Sequence, residues 1–560
     1  MSTPGDTSAT FCATLVDEWI HQGVRHAVVA PGSRSTPLAV ALTRRPELSI
    51  HVFHDERTAA FAALGIGVET GFPAVLLCTS GTAATHFHAA VAEADLSNVP
   101  MIVCTADRPP ELRDVGAPQT IRQTDMYGTK VRWFHDPGVP SDEARDSWRS
   151  LASRLVASAI THRPGPVHVN LPFREPLLGT PTSLPEGRSS GWARTQSKIV
   201  VPAVVVSECA QRMSGRRGII VAGRGATSAT LELATALGWP ILADARSGLR
   251  MGHSACVMAF DAILRSQEFA SNHRPEVVLR VGEPPASKVT NQWIASCGAE
   301  VMQVQPYGNV TDPDHLVSVH LIGDVDSTLL GLAASVARVE SSWLSDWAEA
   351  ERTTQAVLDA WSSEHDSEIT NARAVTKSLS SGDRFVVSSS MPIRDVEWFG
   401  SVTTDVHVHS NRGANGIDGV ISTAVGVALA SGKKTVVYIG DVAAVHDANA
   451  LLALMSRNAE VKVVVSNNDG GSIFSFLPQA ALVDTHTFET LYGTPHGVSF
   501  AHLAKAFGVP YVLTSATELP KLIRESGSAV IELSTQRNVN VSQHAQVNDA
   551  VTAAIDALHL

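Results

Sequence analysis

Two polar clusters 27 residues apart could hold a metal-bound phosphate: Gly440-Asp441 closes one apolar run, and Asn467-Asn468-Asp469-Gly470-Gly471 closes the next. A hard cation such as Mg2+ takes one or two protein oxygens and completes an octahedral shell with phosphate oxygens. Asp441, the Asn468 side-chain oxygen and the Gly470 carbonyl would supply the protein share, with Gly440 and Gly471 beside the phosphate. Either half alone also reads as a turn, since Gly, Asn and Asp are the commonest turn formers. Their pairing at this spacing points to a site.

The elements around the pair must bring it together. Val442 to Met455 has a helical pattern, so the segment reads as strand, crossover helix, strand. Both clusters then sit at the carboxyl ends of neighbouring parallel strands. Further strands are predicted at Arg384–Ser388, Asp405–His409, Thr435–Ile439, Val461–Ser466 and Ala529–Leu533. An earlier set falls at His26–Ala30, Ile50–His54, Ala74–Thr79, Pro100–Thr105 and Val167–Leu171. Strands alternating with Ala-rich helical stretches predict an α/β protein of doubly wound parallel sheets, with ligands at the post-strand loops. Three such domains are expected, 1–180, 199–340 and 369–560, joined by a Pro/Gly/Ser/Thr-rich linker at 181–198 and a connecting helix at 341–368, from the polar stretch at roughly Val339–Ser367. The first and last could be distant structural relatives. In the middle domain, Gly223-Arg224-Gly225 follows a strand at Gly218–Val221, but Ser228 stands where a third glycine would complete a dinucleotide fingerprint.

Length and composition bound the class. A chain of 560 residues, 44% hydrophobic and 18% charged, is typical of a multidomain globular protein. A formal net charge of −12 argues against nucleic acid as a partner. No run approaches the ~18 apolar residues of a membrane span, and the start lacks a basic, then apolar, signal segment. The six cysteines show no C-x-x-C, and the 22 histidines show no zinc spacing. A cytoplasmic enzyme, with no membrane insertion, is the natural expectation.

The pair resembles the diphosphate motif of thiamine-diphosphate enzymes, Gly-Asp followed two to three dozen residues later by Asn-Asn. Such an enzyme needs a glutamate at a strand end of another domain to activate the aminopyrimidine ring. Glu56, in His54-Asp55-Glu56-Arg57, is at such a position; as a helix first-turn residue it would also be favoured by the helix dipole. With Pro31–Leu38, Thr79-Ser80-Gly81-Thr82-Ala83, Thr105–Pro109, Gln119-Thr120-Ile121, Asn411–Gly419 and Asn467–Phe474, nearly the whole chain resembles the 2-succinyl-5-enolpyruvyl-6-hydroxy-3-cyclohexene-1-carboxylate synthases of menaquinone biosynthesis.

That resemblance implies pyrimidine-binding, central and diphosphate-binding domains, thiamine diphosphate with Mg2+ or Mn2+, and 2-oxoglutarate and isochorismate as substrates. It implies decarboxylation followed by conjugate addition of the succinyl carbanion equivalent. It also implies a homodimer or dimer of dimers with active sites between subunits. Both substrates are dicarboxylates, which suits Arg34, Arg108, Arg394 and Arg412 at glycine-flanked, sheet-end loops. Carried over by position, Ser33, Arg34, Arg108, Gln119 and Arg412 contact substrate or intermediate; Ser390 and Arg394 grip the oxoacid-derived part; Lys288 reaches isochorismate from the middle domain. Ile473, Phe474 and Leu477 wall the pocket, and Ile417 bends the cofactor. Three positions depart from the family pattern: Val442 follows Gly440-Asp441 where Gly is usual, Asp469 stands where Asn can stand, and Ser388-Ser389 replaces Gly-Asn.

Overall fold

The computed structural model describes residues 3–187, 198–250, 252–309, 311–338, 342–402, 404–457 and 459–560. Residues 188–197 of the expected linker, and 339–341 at the start of the expected connecting segment, lie outside the described residues.

Among the described residues three six-stranded sheets organise the chain, and every paired strand is parallel to its neighbour. Runs such as Ala74–Cys78, Met101–Asp107 and Gly218–Ala222 are buried at every position. This is the pattern of parallel strands covered by helices on both faces. The first sheet runs Ser49–Val52, His26–Val29, Ala74–Cys78, Met101–Asp107, Pro166–Pro172, Phe134–His135. The third runs His407–His409, Arg384–Val387, Thr435–Gly440, Val461–Asn467, Ala529–Ser534, Tyr511–Thr514. Counted within each domain the two orders are identical, in line with the expected kinship. The middle sheet differs: read from Cys256–Val257 to Val317–Ile322 it has the order 3-2-1-4-5-6 of dinucleotide folds. Its Gly223 has a packing reason to be glycine, because a Cβ there would lie 1.8 Å from the Glu283 carbonyl oxygen.

Two expectations need correction. The crossover between the opening clusters is not one helix over Val442–Met455 but Asp441–His446, a 3-10 turn Ala448–Ala450 and a second helix Leu451–Ser456. The break lies at buried Asp447, whose carboxylate turns away to accept hydrogen bonds from Ser422 N at 2.7 Å and Ser422 Oγ at 2.8 Å. The polar connecting stretch is in fact amphipathic. Helix Trp343–Glu364 buries Trp343 and Trp347 against the middle domain, where Trp347 meets the Phe269 ring edge-to-face at 5.0 Å.

The first and third domains share one apolar core, in which Ala60, Ala63 and Leu64 pack with Ile421, Ala424 and Val425. The contact is a crossing of helix Glu56–Thr70 with helix Val420–Ser431 at glycines. A Cβ on Gly65 would lie 2.0 Å from the Thr423 carbonyl oxygen, and one on Gly426 2.0 Å from that of Ala62. Backbones this close leave no room for a methyl group. Around the crossing, Asn449 donates to Asp55 at 2.8 Å, Arg57 donates to the His446 carbonyl at 2.7 Å, and Glu69 binds Arg384 and His409.

Gly65→Ala should therefore force the helices apart. Overpacking costs ~1–3 kcal/mol, and a methyl aimed at a backbone carbonyl falls at the upper end, above the ~1 kcal/mol that Ala gains over Gly in a helix. Thermal unfolding of the variant should show a lowered Tm; an unchanged or raised Tm would refute the close crossing.

Candidate functional site

The opening pair meets as its spacing predicts. Thr435–Gly440 and Val461–Asn467 are adjacent parallel strands with Gly440 beside Ser466, so Asp441 and Asn468 emerge together. Asp441 is buried, and its carboxylate accepts from Val442 N at 2.8 Å, Gly470 N at 2.9 Å and Asn468 N at 3.2 Å. The carboxylate therefore shapes the loop that carries the other donors. That loop requires glycine: Gly470 has φ +145°, a Cβ there would lie 2.0 Å from the Gly493 carbonyl oxygen, and one on Gly471 2.2 Å from that of Tyr492.

These residues line a cavity of about 160 Å3 together with Ser390, Ile417, Gly440, Ile473 and Phe474. Asn468 donates from Nδ2 to Glu368 at 2.7 Å, while its Oδ1 is buried without a hydrogen-bond partner among the described residues. A buried polar atom without a partner needs an explanation. An oxygen next to a buried carboxylate and a glycine loop is what a divalent cation bridging to a diphosphate would take, so the residues fit that group.

The electrostatics behind the pair are unusual. Burial raises the Asp441 carboxyl above the ordinary range, against hydrogen bonds from Gly470 and Val442 and the nearby His496 ring, whose Nε2 lies 3.3 Å from Oδ2. Glu368 is pushed up to about 7, first by burial and then by the Asp395 charge. Burial also raises Asp395, whose carboxylate meets His544 Nε2 at 2.9 Å. Burial pushes His544 down, but Asp395 outweighs it and the net shift is upward. Asp469 is turned elsewhere: it accepts from Gly497 N at 2.8 Å and His496 N at 3.0 Å, which hold its carboxyl below the usual range. Its charge faces the 496–497 loop.

The other sequence-derived residues fall in separate places. Ser390 opens helix Met391–Phe399 with a strained φ of +75° and its carbonyl accepts from Arg394 at 2.6 Å. Arg394 itself does not line the cavity; burial lowers its pKa, and the same holds for Arg412, with Arg246 as the next cause. Arg412 lines a larger cavity, about 510 Å3, between all three domains, with Arg163, Arg224 and Arg246. Its loop is held by the first domain, where buried Glu93 accepts from Gly413 N and Ala414 N. Ser33, Arg34, Arg108 and Gln119 lie on the post-strand loops of the first sheet. Arg108 donates to Ser80 Oγ and the Gln119 carbonyl, Gln119 donates to the Ser80 carbonyl, and buried Arg34 donates to the Phe173 carbonyl. Lys288 is exposed at the start of helix Lys288–Cys297, and Leu477 is 39% exposed and outside the small cavity. Glu56 begins its helix behind the N-cap Asp55, half-buried, and the small cavity is lined by residues of the third domain and by Glu368 just before it.

Sequence reasoning missed Glu368, His496 and Asp395. Glu368 reads as an ordinary helix first-turn acid after the N-cap Ser367, and nothing in Thr494-Pro495-His496 points back to Asp441.

Comparison with known proteins agrees with this geometry. Family models match residues 10–126 as the N-terminal TPP-binding domain of thiamine pyrophosphate enzymes, 187–386 as their middle domain and 399–533 as their C-terminal TPP-binding domain. An X-ray structure described as that of a thiamin diphosphate-dependent enzyme from Mycobacterium smegmatis shares the fold, with TM-score 0.70 and 18% identity over 93% of this chain and 98% of that one. Proteins from Myxococcus xanthus (38% identical, 99% of both chains), Thermobifida fusca (38%, 98% of this chain and 99% of the relative) and Geobacillus kaustophilus (39%, 96% and 97%) carry one name, 2-succinyl-5-enolpyruvyl-6-hydroxy-3-cyclohexene-1-carboxylate synthase. At this identity over nearly its whole length, with both cofactor-binding domains matched and the metal-type donors assembled at the third sheet, the chain belongs to the family of thiamine-pyrophosphate-dependent 2-succinyl-5-enolpyruvyl-6-hydroxy-3-cyclohexene-1-carboxylate synthases.

Proposed function

We propose that this transferase decarboxylates 2-oxoglutarate and joins the remaining succinyl fragment to isochorismate, as a step of menaquinone biosynthesis. The observation that carries the cofactor half is the unpartnered Asn468 Oδ1 beside buried Asp441. Asp441, Asn468 and Gly470 would hold Mg2+, or Mn2+, against the diphosphate, and Gly440 and Gly471 would let the chain approach it. Ile417, Ile473 and Phe474 give the cavity its apolar wall, which excludes water from the reacting end. When bound, thiamine diphosphate supplies the nucleophilic carbon and the electron sink that decarboxylation needs.

The substrates carry the charge that the arginine-bearing loops would meet. Ser390 and Arg394 adjoin the cofactor cavity and suit the oxoacid; Arg34 and Arg108, with Ser33 and Gln119, form a second cationic edge on the first domain. Arg412 and Lys288 complete the assignment from the third and middle domains. Arg is suited to this work because its planar fork binds carboxylate oxygens in pairs.

Glu56 would hold a proton at the aminopyrimidine ring, yet it does not line the cavity within its own chain. This supports an assembly in which the first domain of a second copy closes the site, a homodimer or dimer of dimers. The 1–180, 199–340 and 369–560 divisions then correspond to the pyrimidine-binding, central and diphosphate-binding parts. A cytoplasmic setting suits the free cysteines Cys12, Cys78, Cys104, Cys209, Cys256 and Cys297, and no described helix is long and apolar enough to cross a membrane.

Purified protein given thiamine diphosphate, Mg2+ and 2-oxoglutarate should form the adduct, identified by mass, only when isochorismate is present. Carbon dioxide release at the same rate without isochorismate would instead assign a simple decarboxylase. Asp441→Ala should lose cofactor binding by calorimetry, whereas Glu56→Gln should bind cofactor and lose at least ~100-fold in turnover, the scale of a positioned acid or base; the reverse pattern refutes both roles. Dilution to a monomer, followed by light scattering, should abolish activity, and a fully active monomer would contradict the shared site.

A further inference from the structure

Asn468 is useful to a cation only in one of two orientations. A side-chain amide carries an acceptor oxygen at one end and two N–H donors at the other, and half a turn about its last torsion exchanges them. With Nδ2 toward the cavity, donors would point at the place a cation must occupy. The protein therefore needs something behind Asn468 that distinguishes nitrogen from oxygen.

Glu368 is in that place. Its Oε1 lies 2.7 Å from Asn468 Nδ2, and among the described residues Asn468 Oδ1 has no partner. The Glu368 Oε1 placed here is an acceptor, and a cation held by Asp441 and Asn468 would favour the ionised form of Glu368, which only accepts hydrogen bonds, so a reversed amide would set oxygen against oxygen and forfeit this bond. Glu368 is itself firmly placed. It is 2% exposed and begins helix Glu368–Ser378, whose N-cap Ser367 accepts from Thr370 N. Thr535 Oγ1 reaches the same Oε1 at 3.4 Å, and Thr535 N donates to the Asn467 carbonyl at 2.8 Å, tying acceptor and amide to one strand end. Side chains behind a ligand that fix its orientation tune a metal as strongly as many direct contacts do.

We infer that Glu368 is the positioning residue for the metal site: its carboxylate fixes the Asn468 amide with the nitrogen inward and Oδ1 facing the cation. The inference rests on the metal reading of Asp441 and Asn468. It assigns Glu368 no contact with substrate and no proton transfer.

A double-mutant cycle read by Mn2+ binding tests it, with electron paramagnetic resonance following free Mn2+ in the presence of thiamine diphosphate. Glu368→Gln offers an amide that pairs equally well with either end of Asn468, so Mn2+ affinity should fall by about 10- to 100-fold. Asn468→Asp has no wrong end, because both of its atoms are oxygens. In that background Glu368→Gln should cost nothing, or improve binding by removing a like-charged neighbour. An equal loss in both backgrounds would make Glu368 a long-range charge or a direct ligand and overturn the inference, as would no loss with Asn468 in place. Should Glu368→Gln not fold, Glu368→Asp, which withdraws the acceptor by one methylene, takes its place in the cycle. Failure of the metal reading is separately visible: the wild-type protein would then bind no Mn2+, and Asp441→Ala would change nothing.

Discussion

The constraint on which the site depends is the burial of negative charge at one end of the third sheet. Asp441, Glu368 and Asp395 are each at most 2% exposed, and burial raises the pKa of all three. An isolated buried carboxylate costs several kcal/mol unless it is paired or coordinates a metal. Asp395 has His544, and Glu368 has the Asn468 amide. Asp441 has backbone N–H groups and a histidine 3.3 Å away, but no lysine or arginine ion pair among the described residues. A divalent cation would relieve that excess, and the donors that would bind it are the groups that the strain keeps in position.

The rest of the fold brings distant chemistry to this end. Parallel strands deliver their loops to one edge of each sheet, so Asp441, Asn468 and Ser390 converge without any long insertion. The glycine crossing at Gly65 and Gly426 then fixes the first domain against the third. Its rigidity has a consequence for function. It ties the Asp55–Arg57 turn to Asn449 and His446, and Glu56 does not line the small cavity of its own chain, which suits the proposal that a second copy presents it.

Much of this was legible in the sequence, and particular residues show why. Asp441 and Asn468 stand out because metal and phosphate chemistry admits few residue types and strand ends place them at predictable intervals. The strands at Ala74–Cys78 and Val461–Asn467 stand out because both their faces are buried and the run is continuously apolar in the first and interrupted only by Lys462 before Ser466 in the second. Glu368 does not, because it meets Asn468 across 100 residues and its local signature is only a capped helix start. The broken crossover is hidden for the same reason, since Asp447 bends the chain toward Ser422 on another helix. The edge strands Phe134–His135 and Tyr511–Thr514 escape notice because they are short or partly exposed and lack the buried apolar run. Arg412 and Ser390 were readable as residue types at loops, but only the structure separates Arg412, at the three-domain cavity, from Ser390 at the small one.

In the proposed assembly a complete site takes Asp441 and Asn468 from one chain and Glu56 from another. The most direct measurement mixes two inactive variants, Glu56→Gln and Asp441→Ala, after dissociation and reassociation, and assays product formation. A mixed dimer holds one site with both groups intact, so random pairing in a two-fold assembly should restore about a quarter of wild-type activity. If demonstrably mixed dimers recover none, the two groups act within one chain and the account is wrong.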